Sequence, residues 1–210
     1  MRSATTFKRY LYILLLTGFI QTPVAQAALI ELQPSPFLAA TTGDSIAMNL
    51  VVSGLGTDSL GAFDISVGFD SSALSFTSYS LGNYLGNINL LEAIDGGVGD
   101  TGSTVNVSEV SLLSAFDLDT LQPGSFTLAT LNFNVINLPA GTMTQLSVLS
   151  GLVLGDALGS PIAVTGLGST NVGTVPVPGT LFLLAASMLG WLALKRRQFV
   201  QYQVKQAEIK

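Results

Sequence analysis

Between residues 28 and 172, apolar and polar positions alternate with a period of two. Ile46, Met48, Leu50 and Val52 make one such run, and Phe63, Ile65, Val67 and Phe69 another. Shorter runs pair Leu74 with Phe76, Val105 with Val107, Leu131 with Phe133 and Val135, Leu146 with Val148, and Ile162 with Val164. Successive strand side chains point to opposite faces, so each run places its apolar groups on one side, as half-buried antiparallel strands do. The phase slips by one residue between Phe126–Leu128 and Leu131–Phe133, which predicts a bulge or crossover near Ala129. Turn-forming clusters punctuate the runs: Gly54-Leu55-Gly56-Thr57-Asp58, Asp95-Gly96-Gly97, Gln122-Pro123-Gly124, Pro139-Ala140-Gly141 and Gly159-Ser160-Pro161. No helical period is sustained, although residues 85–94 could hold a short helical turn. The pattern predicts an all-β, two-sheet sandwich.

The two ends break this pattern. In residues 1–27, Arg2, Lys8 and Arg9 precede the apolar stretch Leu11–Ile20, and Ala25-Gln26-Ala27 supplies a small-x-small site, so a secretory signal peptide cleaved before Ala28 is expected. Ten apolar residues are too few to span a bilayer, which needs about 20. At the other end, Val175-Pro176-Val177-Pro178-Gly179 leads into the uncharged stretch Thr180–Leu194 and the cluster Lys195-Arg196-Arg197. That order predicts a transmembrane helix over part of 173–197, with the domain at 28–172 outside and a cytoplasmic tail at 198–210.

Charge sharpens the picture. All eight Lys and Arg residues lie in the terminal segments, while twelve Asp and Glu residues lie between Ala28 and Thr174 with no base among them. No phosphate clamp can be built from such a domain, so nucleic acid is excluded as a partner. Internal salt bridges are impossible, and salt or divalent cations should relieve the self-repulsion. With no Cys there is no disulfide framework, and with no Cys, His, Lys or Arg the domain lacks thiol nucleophiles and the usual bases.

Two resemblances follow from these residues. The Pro pair, short apolar segment and basic cluster (Pro176, Val177, Pro178, Lys195, Arg196, Arg197) resemble the PEP-CTERM sorting signal. Two differences stand out: Val177 replaces the family's Glu, and thirteen residues follow the basic cluster. The resemblance implies recognition by an exosortase-type membrane protease and release to the cell surface; a plain single-pass anchor is the other reading. The order Thr42-Gly43-Asp44, Gly61-Ala62-Phe63-Asp64, Phe69-Asp70, Leu74-Ser75-Phe76 and Leu131-Asn132-Phe133-Asn134-Val135 resembles cohesin-type domains. This implies a jelly-roll sandwich of the kind shared with certain carbohydrate-binding modules, and a dockerin-like surface protein as one conceivable partner.

Candidate chemistry is confined to carboxylates. Asp95, Asp100, Asp117 and Asp119, with loop carbonyls, are candidate calcium ligands, since hard cations take oxygen donors. Asp117 with Asp119, or Asp64 with Asp70, could supply a glycosidase pair, which must stand roughly 5–10 Å apart; solvated turn carboxylates are the plainer reading. Gly97-Val98-Gly99-Asp100-Thr101-Gly102 matches a dinucleotide fingerprint, but a strand follows it where a helix is required, so a loop is expected. Tyr79 and Tyr84 flank an Asn/Gly-containing loop, yet the domain holds no Trp for a sugar-stacking platform. The reading is therefore an exported, non-enzymatic surface or extracellular protein associated with adhesion, matrix or exopolysaccharide. A module that binds polysaccharide directly is the alternative, and a carboxylate-only glycosidase the third.

Overall fold

The computed structural model describes residues 27–174, together with 184, 186–189 and 191. Apart from those few positions, the expected signal peptide, sorting segment and tail lie outside the described residues. Among the described residues, no helix is long and apolar enough to cross a membrane.

Within residues 27–174, twelve strands and one short α-helix follow in order: β1 (Ala28–Gln33), β2 (Phe37–Ala39), β3 (Ser45–Ser53), β4 (Leu60–Gly68), β5 (Leu74–Leu81), β6 (Ala93–Asp100), β7 (Thr104–Ser111), α1 (Ala115–Leu121), β8 (Ser125–Val135), β9 (Met143–Val148), β10 (Val153–Asp156), β11 (Val164–Leu167) and β12 (Ser169–Gly173). They form two sheets. The first runs β11-β1-β3-β8-β5; the second runs β2-β12-β9-β4-β7-β6, with β10 also paired to β4. β9 takes the Val67–Gly68 end of β4, and β10 takes the Leu60–Asp64 stretch.

The alternation read from sequence closes the space between the sheets. Ile46, Met48, Leu50 and Val52 of β3 face Phe63, Ile65 and Val67 of β4 in one apolar core, with Leu131, Phe133 and Val135 of β8. Phe133 is fully buried at its centre. Phe69 and Phe76 meet its ring edge-on, at centroid distances of 5.2 and 5.6 Å, a geometry that sets ring edge against ring face. The phase slip is a bulge: Leu50 pairs with Ala129 and Val51 with Thr127, so Leu128 is unpaired and both Leu128 and Ala129 are buried.

Four expectations need correction. The sheets are not wholly antiparallel, because β1–β11 and β2–β12 are parallel pairs. The run at Ile162 and Val164 becomes a strand only from Val164; before it, Pro161 makes an isolated bridge to Gly155. Asp95-Gly96-Gly97 is not a turn, nor is the segment after it a loop as far as Asp100: both belong to β6, paired along β7 with a bulge at Gly96. A Cβ at Gly96 would collide with the Ser108 hydroxyl, so a larger residue in the bulge would have to push that side chain aside. Finally, α1 exists, too short to show a period. Ser114 caps it by accepting from Asp117 N–H at 3.3 Å, and Leu118 is its buried anchor. Gln122 just beyond it acts as a strand residue for β4, accepting from Leu60 N–H at 2.8 Å and donating to Leu60 O at 2.7 Å. The turn expected within 85–94 is a single 3₁₀ turn, Ile88–Leu90.

Phe133→Ala should lower unfolding stability by about 3–5 kcal/mol, because it opens a cavity under two packed rings. Thr130→Ala, on the outer face of the same strand, should cost about 1 kcal/mol or less; urea unfolding of the two variants checks both.

Candidate functional site

The two outer faces differ in chemistry. On the first sheet, outward positions of β3, β5 and β8 carry mostly Ser, Thr and Asn, and the central ones bond one another. Ser45 donates to Asn134 Oδ1 at 2.7 Å, Thr130 to Asn49 Oδ1 at 2.8 Å, and Asn132 Nδ2 to Ser78 Oγ at 3.1 Å. No aromatic ring stands on these positions, so the face offers no stacking platform. Tyr84 packs against Phe126 at 5.0 Å, and the Tyr79 hydroxyl is bound to Asp95 at 2.6 Å.

On the second sheet the strand registers place Ala62, Asp64 and Ser66 of β4 beside Val110, Ser108 and Asn106 of β7. Ile94, Gly97 and Gly99 of β6 extend the rows on one side. Val153 and Gly155 of β10 extend them on the other. At the centre Asn106 Nδ2 donates to Asp64 Oδ1 at 2.5 Å and to Ser66 Oγ at 3.1 Å. Ile94, Val110 and Val153 are 53%, 47% and 60% exposed around it. Three outward apolar side chains over a floor of Gly, Ala and Ser make a flat surface that another backbone or helix can approach closely. This is the candidate functional site.

The carboxylates singled out from sequence are scattered. Asp95 and Asp100 sit on β6, where they accept the N–H groups of Gly97 and Gly102, each at 2.7 Å. Asp117 receives the Ser114 hydroxyl at 2.6 Å, and Asp119 receives that of Ser59. Among the described residues, no three acidic side chains converge on one point. Asp64 and Asp70 do not form a glycosidase pair: six residues of extended chain, about 20 Å, separate them. Asp70 closes a turn by accepting from Ser72 N–H and hydroxyl, and Asp44 does the same with Thr41. These bonds hold both carboxyls below their usual range, Ser72's hydroxyl being the larger cause at Asp70 and Thr41's backbone N–H at Asp44. A cleft of about 300 Å³ is lined by Leu55, Asp58, Ser59, Asp119 and Gln122, but Ser59 and Asp119 bind each other and Gln122 is spent on Leu60.

Sequence reasoning passed over Glu109. It continues the inward series Val105, Val107 on β7, opposite Phe63 of β4 and Asp95 of β6. It is fully buried, and neither carboxyl oxygen has a hydrogen-bond partner. The signal was legible, since the next inward position of an apolar alternation was occupied by Glu. Burial, and after it the charge of Asp95, pushes its pKa from 4.5 up to about 7. Asp95 as hydrogen-bond acceptor, followed by burial and its charge, pushes Tyr79 up to about 12.

Below pH 4.5 Glu109 is neutral whether folded or unfolded; between 4.5 and about 7 only the unfolded chain releases its proton. Stability should therefore fall as pH rises through that window, by about 3 kcal/mol in all. Glu109→Gln should flatten this slope in urea unfolding between pH 5 and 8.

No protein-family model matches the chain, and no curated protein matches it. Solved structures do. The sixth cohesin of scaffoldin B from Acetivibrio cellulolyticus, determined in complex with a dockerin, aligns with a TM-score of 0.56 at 17% identity, covering 71% of this chain and 99% of that one. The type I cohesin of a cohesin–dockerin complex from Clostridium thermocellum aligns at 0.56 and 11%, covering 70% and 99%. A non-cellulosomal cohesin from the archaeon Archaeoglobus fulgidus aligns at 0.51 and 15%, covering 70% and 92%. At such identities the likeness concerns the fold alone: residues 28–174 fold as a cohesin-like β-sandwich.

Proposed function

We propose that the chain is an exported, non-enzymatic binding protein that holds another protein on the outer face of its second sheet. The observation that carries this is the cluster Ile94, Val110 and Val153, exposed around the Asp64–Asn106–Ser66 centre, against a first sheet whose outer face is polar, with its central Asn and Thr groups bonded across strands. The partner is a protein module with an apolar strip flanked by Lys or Arg, since every charge between Ala28 and Thr174 is negative. Two of the solved neighbours were determined with dockerins, and a dockerin-like module fits that description here.

The sorting readings belong to the same proposal: a signal peptide removed before Ala28, exosortase-type handling of the C-terminal segment, and residence in an exopolysaccharide or biofilm matrix. In support, β1 opens at Ala28, whose N–H donates to Ala163 O at 2.8 Å. A chain cut there keeps the whole strand.

A photo-crosslinking residue at Val110 should capture one protein species on producing cells, and the same probe at Thr130 on the opposite face should not. Val110→Asp should weaken binding of that species about tenfold or more. Retention on secreted polysaccharide with no protein adduct at Val110 would favour the carbohydrate-binding reading instead. Mass spectrometry of the mature surface form should find an N-terminus at Ala28 and no residues 198–210; an intact tail would mean a permanent anchor.

A further inference from the structure

We infer that Glu109 and Asp95, with the Tyr79 hydroxyl, form a site for a hard divalent cation such as calcium at the seam where the free edges of the two sheets meet. β5 ends the first sheet and β6 ends the second. The Tyr79–Asp95 hydrogen bond of 2.6 Å joins them across the gap. Asp95 is exposed, and Glu109, its partner in the β6–β7 ladder, is fully buried behind it.

Two features point to a ligand. Both Glu109 oxygens are buried without a donor, a costly state for a carboxylate unless something electropositive reaches it. No Lys or Arg lies anywhere between Ala28 and Thr174, so the domain that buries Glu109 has no cationic side chain to offer it. A cation can. Glu109 offers two oxygens, Asp95 adds carboxylate lone pairs left over from Gly97 N–H and Tyr79, and water completes the shell, as hard cations commonly allow.

A proton competes for the same oxygens. The groups facing Glu109 in its ladder are Asp95 from β6 and the uncharged Phe63 from β4, and Tyr79 from β5 reaches the same Asp95 carboxylate. Cation and proton therefore compete for one pair of oxygens, and entry of the first displaces the second.

The full-length protein, tested at pH 8 and matched ionic strength, should unfold about 5 °C higher in millimolar calcium than in chelator. Terbium should bind saturably with emission sensitised through Tyr79, and calcium should compete it away. Glu109→Gln, a neutral variant of the same shape, should lose both responses and melt above the wild type in chelator. Asp100→Asn, which removes an equal charge elsewhere, should keep both. An undiminished calcium response in Glu109→Gln would overturn the site, since general screening would then explain it. So would a wild type whose stability follows pH but not calcium, because Glu109 would then hold only a proton.

Discussion

A domain of twelve carboxylates and no cation must satisfy each acidic group with a neutral donor or leave it in water. That constraint accounts for most of the local structure around the strands. Asp44, Asp70, Asp95, Asp100 and Asp156 each accept a backbone N–H within a few residues and so build turns or bulges. Glu92 accepts from Asn87 N–H beside the 3₁₀ turn. Asp64, Asp117 and Asp119 take side-chain donors: Asn106, Ser114 and Ser59. The acidic residues thus act chiefly as caps and turn formers, and their short Asx loops replace the salt bridges the composition forbids. Glu109 alone is buried without a donor, which marks it as a place where something outside the chain is needed.

How far the fold was legible depended on how cleanly each strand separates its faces. β3, β4, β7, β8 and β9 alternate over most of their length and were readable, down to the one-residue slip that becomes the Leu128 bulge. β1 was not, although Ala28, Ile30 and Leu32 are all fully buried, because Leu29 between them is apolar too and blurs the period. β6 was hidden by Gly96, Gly97 and Gly99: glycine signals a turn in sequence, and here it serves a bulge and a bare strand edge. α1 spans seven residues, two turns at most, so no helical period could register.

The candidate face was less legible, for a different reason. Its residues come from β4, β6, β7 and β10, and nothing local says that Val153 stands beside Asp64 or Ile94 beside Val110; only the pairing does. Sequence could mark Val110 as breaking the outward polar series of Asn106 and Ser108, but it could not show which strands flank it. The same holds for the first sheet, where Asn49, Thr130, Asn132 and Asn134 look like free polar groups until the register shows them bonded to one another or to serines.

Strand geometry ties the two sides of the second sheet together. Glu109 and Val110 are consecutive residues of β7, one turned into the core and the other out to solvent, and their partners on β6 are Asp95 and Ile94, both exposed. The exposed pair Ile94–Val110 is therefore the neighbour, one residue along, of the pair Asp95–Glu109. Packed strands do not bend residue by residue, so a change that spreads β6 from β7 around Glu109 also moves the apolar pair on the candidate face. Tyr79 holds β6 to the opposite sheet through Asp95, so the edge of the sandwich is tied to the same two strands, β6 and β7, that carry both Glu109 and the candidate face.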